Sequence, residues 1–208
     1  MAEDEAVSLD LLDRRTVRVR ARNVAIAALL VGAALGGVVG LFAGPAGFGV
    51  TFAVVAVPLL LLAFTEARKT VQLRGEQVVA RALGSRVVDV RTATRLELFV
   101  TDLRGTRTIN VLVGGRGKAI SVALAMYAGT GGRELGIYGL RRLADVLATN
   151  PDTRALVLSQ LIVAQLQAEA RGEPAPNRPL YQIGSQAPQG GVAKRLNSDA
   201  VAKFVATL

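Results

Sequence analysis

Residues 23–65 read NVAIAALLVGAALGGVVGLFAGPAGFGVTFAVVAVPLLLLAFT, and none of these side chains carries a charge. A helix apolar on every side has to be covered by protein or by lipid. Gly44-Pro45-Ala46-Gly47 sets two helix breakers near the middle, which divides the run into about 24–43 and about 47–64. At 1.5 Å per residue, some 20 residues cover the roughly 30 Å hydrocarbon core of a bilayer. The stretch therefore predicts a membrane α-helical hairpin of two spans over 23–65, with Pro58 kinking the second.

The flanks orient it. Arg14, Arg15, Arg18, Arg20 and Arg22 precede the first span, Arg68, Lys69, Arg74 and Arg81 follow the second, and the connecting turn holds no base. Bases gather on the cytoplasmic side of membrane helices. The expected localisation is the cell (inner) membrane, multi-pass, with both termini cytoplasmic and residues 1–22 a cytoplasmic N-terminal segment. The competing reading, a cleaved signal peptide, needs an apolar region of about 7–15 residues, and this run is longer. Ala28, Gly32, Gly36 and Gly40 recur at every fourth position, and Gly49 and Ala53 repeat the spacing. Small residues so placed line one helix face and admit a second backbone. They are the candidate helix-packing residues, although an Ala- and Gly-rich chain also produces such spacing by chance.

The rest of the chain has a different character. Of 25 Lys and Arg and 16 Asp and Glu, the first 22 residues take five of each, so residues 66–208 carry the whole net charge of +9. Mean hydropathy is +0.39. Cysteine and histidine are both absent, which excludes disulfides, thiol nucleophiles, Cys/His zinc sites and His-based triads. No metal site, cofactor or small-molecule substrate is evident, and the chain is expected not to be an enzyme. Few aromatics are present to stack on bases, so no nucleic acid is expected as a partner.

From residue 70 the apolar period becomes two. Val71 and Leu73, then Leu96, Leu98 and Val100, then Ile109, Val111 and Val113, then Ile120, Val122, Leu124 and Met126 each mark one strand face. Gly-rich turns separate them, predicting strands near 70–74, 77–83, 86–91, 95–101, 106–113, 118–126 and 133–138. Leu140, Leu143, Ala144 and Leu147 then fit one helix face over 139–149. The fold class expected for 66–150 is an α+β soluble domain: a curved antiparallel β-sheet or barrel closed by a C-terminal helix.

The hairpin around Gly75, the turn at Gly84-Ser85, the strand Val87-Val88-Asp89-Val90 and the Leu140–Leu147 helix together resemble the bacterial pleckstrin-homology-like domains that often follow a transmembrane pair. The likeness is one of pattern over residues 70–150. It implies a PH-like scaffold or binding module without a fixed catalytic motif. Another small barrel or sandwich with an appended helix fits the same pattern.

Residues 151–171 predict an apolar helix, with Asn150 as its cap and Pro151 first in the helix. Leu158, Leu161, Ile162 and Leu166 would be buried in the domain, against a partner, or against the membrane. Residues 172–191, with four prolines, read as an extended linker, and 198–208 as a terminal helix presenting Phe204 and Leu208. Leu158, Leu161, Ile162, Leu166, Phe204 and Leu208 form the candidate partner interface, for another membrane or cytoplasmic protein or for self-association.

Gly114-Gly115-Arg116-Gly117-Lys118 imitates a phosphate loop, but that pattern needs Gly at 112 and Ser or Thr at 119. Here they are Leu112 and Ala119. Arg104, Arg107, Arg116 and Lys118 stand near turns and are the candidate lipid-phosphate contacts, with solvated surface charge as the plainer alternative. The leading expectation is a membrane-anchored, non-enzymatic accessory or scaffold protein for protein–protein assembly at the inner membrane. The alternative is an anionic-lipid-binding module at the cytoplasmic membrane face.

Overall fold

The computed structural model describes residues 6–82, 84–115, 117–188 and 190–208. They divide into two compact units: residues 12–69 with 81–84, and the remainder.

The helical unit is one long run, α1 (Arg14–Arg68), in which Gly44 is the single non-helical residue, at φ 72° and ψ −169°. That conformation is open to glycine and strained for other residues. Pro45 then opens the second arm at the position where a missing N–H leaves no intrahelical bond unmade. The sequence predicts a four-residue turn, yet Ala46 and Gly47 are helical; Pro58 lies inside the second arm with helical backbone angles. Residues Arg14–Thr65 are long and apolar enough to cross a membrane.

The arms before and after Gly44 lie against each other. A Cβ built on Gly32 would stand 3.1 Å from Ala56 Cβ, and one on Gly36 would stand 3.0 Å from Phe48 O. The Gly32, Gly36 and Gly40 face thus accepts Phe48 and Phe52, whose rings stack at 6.0 Å. Ala28 is buried as well. Gly49 has nothing within 4 Å of its Cβ position and Ala53 is exposed. In the second arm the packed row is Phe48, Phe52 and Ala56, so large residues fill small ones.

The α+β unit begins with β1 (Val7–Ser8), which pairs with β2 (Thr70–Arg74). β3 (Gln77–Arg81) and β4 (Ser85–Asp89) complete a four-stranded sheet in the order β1-β2-β3-β4. β5 (Arg95–Leu103), β6 (Thr106–Gly115), β7 (Lys118–Ala128) and β8 (Gly131–Glu134) form an antiparallel meander. Most of the period-two faces behave as read: Leu73, Leu96, Leu98, Val100, Ile109, Val111, Val113, Ile120, Val122 and Leu124 are buried. Val71 is half-buried, and in β7, whose register with β6 shifts at Ile109/Asn110, Ala125 and Tyr127 are buried while Met126 is only half-buried. α2 (Ile137–Ala148) packs Leu140, Leu143, Ala144 and Leu147 into that core.

The closed sheet expected from the sequence is not what forms. β4 and β5 are not hydrogen-bonded neighbours, and the two sheets remain separate and open. The outer edge of β5 is taken by β9 (Gly191–Arg195), which bonds at Phe99 and Val100 and again at Asp102. Once β9 occupies that edge, β4 has no ladder to close on.

The reading of 172–191 as an extended linker is also corrected. After α3 (Thr153–Ala170) come a 3-10 turn (Ala175–Asn177) and α4 (Pro179–Ser185). α4 buries Leu180 and Ile183 in the main core. α5 (Ser198–Val205) follows β9 and buries Val201. The N-cap of α3 is Asp152, whose side chain accepts from Arg154 N, two residues later than predicted. Asn150 is buried and does a different job. Its Nδ2 donates to Val90 O at 2.5 Å and Ala93 O at 3.1 Å, and its Oδ1 accepts from Asp152 N at 2.8 Å. It ties the β4–β5 corner to the α2–α3 junction. Asn150→Ala takes the side-chain donor from both carbonyls and leaves Val90 O only the long bond from Ala93 N at 3.3 Å. A loss of about 2 kcal/mol is expected, read as an earlier urea midpoint; an unchanged midpoint would refute the role.

Candidate functional site

β5 and β6 are joined by Arg104 and Gly105 at φ 53° and 77°. Two successive positive φ values define the type I′ hairpin turn, which favours Asn-Gly. Arg104 at the first place costs on the order of 1 kcal/mol, because its Cβ crowds the backbone in this region. Leu103 beside it is 70% exposed.

Beneath this turn lies a cleft of about 1050 Å³. Leu103 and the half-buried Tyr181 form its apolar wall, with Ile109 and Tyr127 buried behind it; Arg104, Arg107 and Asp102 form its polar side, and Gly129 and Gly184 also line it. Gly184 matters because a Cβ there would stand 3.0 Å from Ile109 Cδ1. Its absence lets α4 approach β6. Tyr127 and Tyr181 meet edge to face at 5.1 Å. Tyr181 Oη donates to Gly129 O at 3.2 Å. Tyr127 Oη donates to Glu134 Oε1 at 2.6 Å, and Arg178 Nη1 holds the other carboxylate oxygen at 2.5 Å. Burial, then the bond to Glu134, pushes the Tyr127 phenol well above its ordinary pKa. Both hydroxyls are therefore engaged; Tyr127 is buried, and Tyr181 with Leu103 gives the cleft its carbon surface.

The cations differ in state. Arg107 Nε lies 3.6 Å from Asp102 Oδ2, which also accepts from Gly190 N at 3.4 Å. Among the described residues Arg104 forms no ion pair. The cleft side thus carries two guanidiniums against one carboxylate.

The four candidate phosphate contacts do not form one site. Arg104 and Arg107 sit together at one end of β6, whereas Lys118 lies exposed beyond its other end, opposite Gly115. Eight residues of strand separate Arg107 from Gly115, about 26 Å at 3.3 Å each. Arg116 lies outside the described residues. Of the candidate partner interface, Leu158, Leu161 and Ile162 are buried in the chain's own core. Leu166 and Phe204 are partly buried against it, and Leu208 is exposed. The outward apolar residues of α3 are Leu156 and Val163. Tyr127 and Tyr181 escape the sequence reading, and Ile109 enters it only as a strand-face residue. Tyr181 stands in the presumed linker, where Pro179 followed by Leu180 and Ile183 was the available helix signal.

A smaller pocket, about 220 Å³, lies between β5, α3, β9 and α5. There Glu97 is held by Arg95 at 3.0 Å and by Arg195 at 3.2 Å, which fastens β9 to β5. No family model, curated protein or solved structure matches this chain.

Two outcomes are expected. Arg104→Asn places the residue the turn favours and should raise stability by up to about 1 kcal/mol in urea melts; a loss would show that Arg104 stabilises the turn. Tyr127→Phe removes the bond to Glu134. The folded phenol keeps its proton above the ordinary value of 10.0. The stability tied to it is therefore complete below pH 10 and falls as pH rises beyond. The parent should exceed the variant by about 2 kcal/mol at pH 8, with a gap that narrows above pH 10. A gap unchanged to pH 11 contradicts this account.

Proposed function

We propose that this chain is an integral membrane protein whose helical arms cross the bilayer as a two-span hairpin and hold a non-enzymatic binding module at the cytoplasmic membrane face. One observation carries the membrane reading: the outer surface of α1 is apolar and uncovered. Leu41 is 84% and Phe42 89% exposed, with Leu30, Val50, Val54, Leu61 and Leu62 exposed around them. Water does not favour such a surface, and lipid does. The contacts of Gly32 with Ala56 and of Gly36 with Phe48 support a fold-back at Gly44, and the arginines before and after the apolar run support cytoplasmic termini.

The cleft beneath Arg104 supports binding over conversion. Its tyrosine hydroxyls are committed to Glu134 and to Gly129 O, and its one carboxylate, Asp102, is committed to Arg107. Assembly with another protein is a second reading. Its support is the exposed pair Leu156 and Val163 on α3, since Leu158, Leu161 and Ile162 face inward.

The expected result is that the chain stays in the membrane pellet under alkaline carbonate. A reporter fused after Leu208 should be active only in the cytoplasm. Release into the supernatant, or a reporter active outside the cell, defeats the proposal.

A further inference from the structure

We propose that the cleft between the β5–β6 turn and α4 binds an anionic amphiphile, its acidic group on Arg104 and its apolar part against Leu103 and Tyr181. This deepens the binding-module reading and rests on it for its setting at a membrane.

Three features of the cleft converge on that class. Its charge is the first. Arg107 has Asp102 as a partner at 3.6 Å, while Arg104 has no ionic partner among the described residues. A guanidinium presents a planar fork of donors suited to a carboxylate or phosphate. The wall is the second. Leu103, exposed beside the turn, and the half-buried ring of Tyr181, whose hydroxyl is engaged by Gly129 O, offer a surface that favours carbon over water, with Ile109 and Tyr127 buried behind them. A small hydrophilic anion would leave that wall wet. The third is the turn itself. Arginine occupies the left-handed position where Asn or Gly is the unstrained residue. Strain held in a hairpin next to a cleft fits a side chain retained for a contact rather than for the fold. The cleft of about 1050 Å³ admits a chain of several carbons together with its head group.

The same chemistry comes from two sources, an anionic membrane lipid or a free amphiphile such as an alkyl phosphate, and one experiment separates them. The chain has no cysteine, so Ser185→Cys, exposed next to Gly184, gives a unique position for an environment-sensitive dye beside the cleft. The labelled full-length protein is placed in nanodiscs of zwitterionic lipid and titrated with hexyl phosphate, inorganic phosphate and hexyl glucoside. Hexyl phosphate is expected to give a saturable emission shift at a concentration at least about tenfold below either of the others, which is the weight of one charge-assisted hydrogen bond against hexyl glucoside and of about two buried methylenes against inorganic phosphate. Arg104→Ala should abolish that advantage and Arg104→Lys should keep most of it. Nanodiscs containing anionic lipid should produce the shift without added ligand when the lipid is the natural source. A shift with hexyl phosphate alone identifies a free ligand, and either result supports the site.

Equal potency of inorganic phosphate overturns the apolar half of the proposal, and equal potency of hexyl glucoside overturns the acidic half. No shift from any probe, with the helical circular dichroism of the parent retained, overturns both. Carbonate extraction of the same protein is scored separately. A chain that binds hexyl phosphate but washes off the membrane keeps the site and loses the anchor; a chain that stays in the pellet but ignores the probe keeps the anchor and loses the site.

Discussion

The obligation to pair every backbone N–H and C=O where water is scarce governs the helical half of this protein. A stretch with no charged side chain between Asn23 and Thr65 cannot leave its amides to solvent and bury its side chains at once. A helix satisfies every amide from within, and α1 holds to it for 55 residues with one interruption. Gly44 supplies that interruption because it alone adopts the required φ without a Cβ clash, and Pro45 restarts the helix where no N–H is needed. The packing of the arms follows from residue size. Gly32, Gly36 and Gly40 leave a trough, and Phe48, Phe52 and Ala56 fill it. The aromatic rings opposite the glycines fill that trough with dispersion contact.

The α+β half obeys the same rule by other means. Its strands satisfy the backbone through ladders, and its interior is almost wholly aliphatic. Two buried polar side chains do what the ladders cannot. Asn150 takes up the carbonyls of the corner between β4 and β5. Gln165, fully buried on α3, accepts from Leu180 N and so fixes the start of α4. That bond decides which end of the amide is oxygen, and it leaves Gln165 Nε2 without a protein partner. The donor is the natural place for a buried water. Gln165 thereby anchors the segment that carries Tyr181 and Gly184 to the cleft.

Local alternation and turn chemistry made β2 through β7 legible within about two residues, because each has a buried face of its own. β8 lies a few residues earlier than its pattern suggests, since Ile137 and Tyr138 already belong to α2. The elements that escaped are those whose partners are distant in sequence. β1 is two residues long and exists only because β2, more than 60 residues away, supplies its ladder. β9 has no apolar alternation to announce it and is held by the edge of β5 and by Glu97. It also undoes the expected closure, and nothing in residues 95–103 records that their outer edge is taken. The apolar helix α3 was visible, but its burial was not. Whether Leu158, Leu161 and Ile162 face a core or a partner depends on α2, which they meet across the turn at Asn150.

The candidate site shows the same division between local and assembled information. The basic turns were visible as a set of four residues, yet strand geometry assigns Arg104 and Lys118 to opposite ends of β6. Proximity in sequence to a turn said nothing about which turns share an end of the sheet. The cleft needs three separated pieces: the hairpin that carries Arg104 and Arg107, the end of β7 that carries Tyr127, and α4 that carries Tyr181 and Gly184. Its electrostatics follow from that assembly. Asp102 neutralises Arg107 within the hairpin and is itself steadied by Gly190 N from the approach to β9. Arg104, exposed at the tip of the hairpin, is left with charge to spare beside the carbon surface of Leu103 and Tyr181. A pairing of unspent cation with dry surface favours ligands that carry both an acid and a hydrocarbon, and disfavours those that carry only one.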